Sequence, residues 1–109
     1  MKIDINGTKL EFDVFEASSA EKFQKETQKI IDAAEKNKGI KDFGKAIRLQ
    51  CKSVFDFIDA LFGEETHKKI FGESVNLRTC LEVYHKINNA ILEDKKDIEN
   101  MSAALKIAK

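Results

Sequence analysis

The fold class that this sequence predicts is α+β and mostly α, with an N-terminal β-hairpin packed on a small helical bundle and a long C-terminal helix. Three observations carry it. Period-two alternation is confined to residues 2–15, three longer stretches of helical periodicity follow it, and no proline, Ser/Gly linker or internal repeat divides the 109 residues into more than one domain.

Residues 2–15 place Ile3, Ile5, Leu10, Phe12 and Val14 on alternate positions around Asn6-Gly7. Both turn residues tolerate the positive φ that a two-residue hairpin turn demands, so the dipeptide marks the reversal. A lone two-stranded hairpin is marginal in water, so its apolar face needs the rest of the chain.

The first helix is expected over 19–37. Ser18 and Glu21 have capping-box spacing, Ala20, Phe23, Thr27, Ile30, Ile31 and Ala34 follow at steps of three and four, and Lys36, Lys38 and Gly39 supply a stop. The second helix, over 40–62, is the most apolar segment. Phe43, Ile47, Cys51, Val54, Ile58 and Leu61 share one stripe, which Phe55, Phe57 and Phe62 widen on both flanks, so this helix belongs at the centre. Residues 64–71, between Gly63 and Gly72, make a short helix held by Ile70 and Phe71. Asn76 is a good N-cap for a long helix over 77–107, with Leu77, Cys80, Leu81, Tyr84, Ile87, Asn88 and Ile91 on its buried face. Beyond the charged run Glu93–Asp97, only Ile98, Met101 and Leu105 mark an apolar side, so this end is expected at the periphery, projecting beyond the domain or folded back on it.

Composition narrows the function classes. Nineteen basic and nineteen acidic residues cancel, which removes the electrostatic footprint of a nucleic-acid or anionic-membrane binder. No apolar run approaches the ~20 residues of a membrane span, and the N-terminal residues have no signal-peptide core, which points to a cytoplasmic protein. Two cysteines are too few for a disulfide scaffold.

The chemistry-bearing patterns are sparse. Glu64/His67 and Glu82/His85 have the Glu-x-x-His spacing of di-iron bundles. Glu82 and His85, however, lie about 170° and 110° from the centre of the long helix's apolar stripe, and the other helices put no glutamate in theirs. Cys51 and Cys80 sit on apolar stripes without a C-x-x-C partner, and so read as buried thiols. No metal, cofactor or catalytic set is therefore assigned. What survives is an interaction surface at Ile98, Met101 and Leu105, suited to a partner helix or to a self-association seam.

The stretch FGEETHKKIFG at 62–72, followed by Val75-Asn76-Leu77, Cys80-Leu81-Glu82 and Tyr84, resembles the signature of a family of short Firmicutes phage and prophage proteins of unknown function. Their shared pattern is FGEGT-x-KKIFG-x-x-x-NL-x-x-CLE-x-aromatic, and the resemblance extends to the MKIDINGTKLEFDVF hairpin and to AIRLQCKSVFDFID. Phe62, Gly63, Ile70, Phe71, Gly72, Asn76 and Cys80 match, whereas Glu65 stands where the family has a second glycine, so the turn after the second helix is expected to differ. By setting and size the resemblance implies a tail-assembly chaperone. Such a non-enzymatic protein would bind a tape-measure protein or tail-tube subunits by protein–protein contact. The competing expectation is a small phage-encoded regulatory DNA-binding or host-takeover protein.

Overall fold

The computed structural model describes residues 1–107. Strands β1 (Lys2–Ile5) and β2 (Thr8–Glu11) pair antiparallel in the register Ile3↔Leu10 and Ile5↔Thr8. Asn6 and Gly7 take φ 50° and 85°, the left-handed pair that the turn requires, and Asp4 Oδ1 accepts a hydrogen bond from Gly7 N at 2.9 Å. The ladder stops at Glu11, short of the expected 15, and a turn over 13–16 leads into the first helix. Phe12 and Val14 remain buried with Ile5 and Leu10, so the apolar alternation outlasts the strand.

Helix α1 (Ala17–Lys36) begins earlier than its expected start. Ser18 lies inside the helix, Glu16 occupies the N-cap without a side-chain cap bond, and no capping box forms. Its apolar face is shorter too. Phe23 and Ile30 pack against the core, but Ile31 and Ala34 are exposed, while Glu26 is buried with Lys29 Nζ 3.1 Å from its carboxylate.

Helix α2 (Phe43–Phe62) starts three residues later than expected, where Asp42 caps it by accepting from Lys45 N at 3.1 Å. Cys51, Val54, Phe57, Ile58 and Leu61 are buried, and α2 stands at the centre. The contacts of α1 run antiparallel to it: Phe23 meets Phe57 edge-on at 6.3 Å, and Ile30 and Ala33 lie near Ser53. Phe43 contradicts the sequence reading, being 79% exposed.

Helix α3 (Thr66–Phe71) folds back along α2, and helix α4 (Leu77–Ile107) then runs parallel to it. Cys80 touches Cys51, and Tyr84 meets Phe57 edge-on at 5.2 Å. Cys80, in the first turn of α4, meets α2 at Cys51, about two turns beyond Phe43. That leaves Phe43 uncovered. Asn76 Oδ1 accepts from Thr79 N at 3.1 Å, as expected of the cap. Leu81, placed inside by the sequence, is exposed, and Val83 is buried in its stead because the hairpin side of α4 is covered too.

The hairpin crosses the upper part of α4. The Met1 ammonium lies 2.9 Å from Asp94 Oδ2 and donates to Phe12 O at 2.7 Å, and Lys86 Nζ donates to Asp4 O at 3.3 Å. Ile98 still packs partly on the core, and beyond it the described side chains of α4 are exposed. The molecule measures 57 × 33 × 20 Å with a radius of gyration of 15.9 Å, against about 13 Å for a compact domain of this size.

Candidate functional site

Steps of three and four run the whole length of α4: Leu77, Cys80, Tyr84, Ile87, Ile91, Asp94, Ile98, Met101 and Leu105 form one heptad seam. Up to Ile91 the seam is buried on α2 and β1, with Cys80, Ile87 and Ile91 fully enclosed. At Asp94 the buried Met1 ammonium neutralises the one charged residue in the seam. Ile98 packs partly on the core, and past it Met101 and Leu105 are 62% and 71% exposed. Of the three residues singled out by sequence, Ile98 thus belongs to the edge of the domain. Met101 and Leu105 project from it.

Beside this transition lies an open groove of about 600 Å³ between α1 and α4. Phe23 and Leu92 supply its accessible apolar surface above the buried Val14 and Ile91, Gln24, Gln28 and Lys95 edge it, and Ile98 ends it where the projecting part of α4 begins. It exists because α1 lies against α2 and stands off α4. The Thr27 hydroxyl, beneath its wall, is buried without a hydrogen-bond partner among the described residues. Sequence reasoning missed the α1 wall, since Phe23 and Thr27 read simply as core.

The segment Asn100–Leu105 adjoins the groove and carries no charge, although Lys and Glu dominate the rest of the helix exterior. All of its described side chains are exposed. Met101 and Leu105 are its two large apolar side chains.

Elsewhere the titratable groups are tied into the fold. Asp59 accepts from His67 N at 2.9 Å through Oδ1 and faces His67 Nδ1 at 2.7 Å through Oδ2, while Phe55 stacks on the imidazole at 4.6 Å. This clamp fastens α3 to α2. The hydroxyl of the adjacent Thr66 donates to Gly63 O at 2.6 Å and so serves the turn. Glu64, Glu82 and His85 are exposed and do not converge with His67. Cys51 and Cys80 are fully buried, and burial, reinforced by the Cys51 thiol, pushes the Cys80 thiol up to about 12, far from a reactive thiolate. Among the described residues no group of three His, Cys, Asp or Glu side chains could hold a metal ion, and no helix is long and apolar enough to cross a membrane.

The motif residues of 62–80 build this same end of the core. Phe62 meets Phe12 edge-on at 6.1 Å, Gly63 and Gly72 end α2 and α3 at φ 113° and 61°, and Ile70 and Phe71 are buried. Glu65 takes φ 69° and ψ 3°, a left-handed conformation that glycine adopts more readily.

A family of unknown function, DUF6673, matches residues 6–108, from the hairpin turn to the end of α4. The chain belongs to this family. The DUF6673 match takes in the groove, the Asp59–His67 clamp and the projecting part of α4 together, so these are parts of one family domain. No curated protein and no solved structure matches this DUF6673 chain.

Proposed function

We propose that this DUF6673 protein acts by protein–protein contact, as a non-enzymatic phage or prophage factor of the tail-assembly-chaperone kind. Its contact face is the α1–α4 groove with the free end of α4. One observation carries the reading: the seam that builds the core up to Ile91 continues through Ile98 into Met101 and Leu105, beside an open apolar groove. Such a face holds an apolar helical segment by the rules that pack α4 on α2, and releases it when a larger assembly buries it better. The setting, with a tape-measure or tube protein as the segment's source, rests on the family resemblance of the 62–84 stretch.

The test is capture by the tagged protein from cells in which the phage genome is induced, alongside the doubly substituted Met101→Lys, Leu105→Lys chain. Both positions are exposed, so the fold should persist by circular dichroism. Stoichiometric recovery of a tail protein that disappears with the double substitution is the expected result. Recovery of nothing beyond the protein itself overturns the assembly reading, and recovery indifferent to the substitutions overturns the face.

A further inference from the structure

The groove and the free end of α4 are complementary to each other, though one chain cannot bring them together. Leu105 lies seven residues beyond Ile98, and Ile91, buried beneath the groove, lies seven residues before it. At 1.5 Å per residue both distances are about 10.5 Å. A two-fold axis beside Ile98 therefore lays Leu105 of one copy at the level of Ile91 of the other. It also sets Met101 beside the Lys95 stem at the groove edge and brings the two Ile98 side chains together.

We propose that the occupant of this face is a second copy of the chain, and that two copies pair through antiparallel α4 ends, each filling the other's α1–α4 groove. This rests on the reading of that face as a contact surface, and names what covers it. Continuity supports it, because the interface prolongs a seam already packed within each chain. So does charge. Lys95 and Glu99 stand on the same flank of the seam, three residues before and one after Ile98. The two-fold brings Lys95 of each copy to within about 3 Å, measured along the axis, of Glu99 of the other. The uncharged Asn100–Leu105 segment lies over Ile91–Lys96, so no like charges meet there. The arrangement is isologous and closed, which limits it to a dimer.

Sedimentation equilibrium of the full chain should give twice the 12.4 kDa chain mass, and Leu105→Lys should return it to the chain mass. Register is read by cross-linking under oxidised glutathione, the native cysteines being buried. Ile98→Cys should form a disulfide-linked dimer, whereas Leu105→Cys should not, its two copies standing about 21 Å apart. Charge reversal gives a reading without a cysteine: Lys95→Glu or Glu99→Lys alone should weaken the dimer about tenfold, and the two together should restore it. A monomer at every concentration overturns the proposal, as does cross-linking through Leu105→Cys. A monomer that still captures a tail protein overturns the dimer alone, and a dimer that captures none overturns the assembly reading alone.

Discussion

Asp59 holds His67 twice, accepting from its backbone N–H at 2.9 Å and facing its Nδ1 at 2.7 Å, and thereby sets where α3 lies on α2. Both groups are partly buried, so removing the carboxylate leaves two donors without a partner. Asp59→Ala should cost about 2 kcal/mol in urea unfolding and Asp59→Asn about half of that, since hydrogen bonds to a charged group are the stronger ones. An effect within 0.5 kcal/mol of zero, roughly the scatter of surface substitutions, would show that Phe55, Ile70 and Phe71 hold α3 without the clamp.

The turn between α2 and α3 stores strain at a residue that can be relieved. Glu65→Gly should stabilise the protein by up to about 1 kcal/mol, because left-handed backbone costs a non-glycine residue roughly 1–2 kcal/mol and the glycine returns part of that as chain entropy. Gly72 is the opposite case. It takes φ 61° and ψ −130°, which a side chain disfavours, so Gly72→Ala should destabilise by about 2 kcal/mol although nothing lies within 4 Å of the added methyl. Thermal melts of both variants check the pair.

One seam should show a gradient of energetic weight. Ile91→Ala removes a fully buried side chain and should cost about 3 kcal/mol, Ile98→Ala about 1, and Leu105→Ala close to zero at protein concentrations low enough to keep the chain monomeric. Equal costs along the seam would mean that the free end folds onto the body in solution.

The buried Cys80 thiol makes stability depend on alkaline pH. The Cys80 thiol ionises near its ordinary value of 9.0 when unfolded and only at about 12 when folded. Its contribution is therefore complete below pH 9 and is lost as pH rises towards 12, because the unfolded chain releases the proton first. Burial raises the Tyr84 phenol and adds a loss of the same sign. Between pH 8 and pH 10.5, Cys80→Ala should lose less stability than the unsubstituted chain. Iodoacetamide at pH 8 should label Cys51 and Cys80 only as fast as the fold opens.

Much of this molecule is local and was legible as such. Asn6-Gly7 determines the reversal because its two residues accept positive φ, Asn76 starts α4 by capping it, and the spacing of Cys51, Val54 and Ile58 makes α2 central. The heptad in α4 is masked in the sequence by the charges of Glu93–Asp97, and emerges only with the Met1 ammonium beside Asp94. Other features depend on which elements meet and at what height. Phe43 and Leu81 carry the hydrophobicity of core residues, yet lie exposed because no neighbour reaches them. Glu26 is buried, and Asp59 finds His67 eight residues away across a turn, where no periodicity points. Above all, α1 lies on α2 and leaves α4 uncovered beyond Ile91, and that placement makes a groove out of residues that otherwise read as core. Periodicity tells which face of a helix is apolar. Only the tertiary packing decides how far along the helix a partner from its own chain extends, and where another must take over.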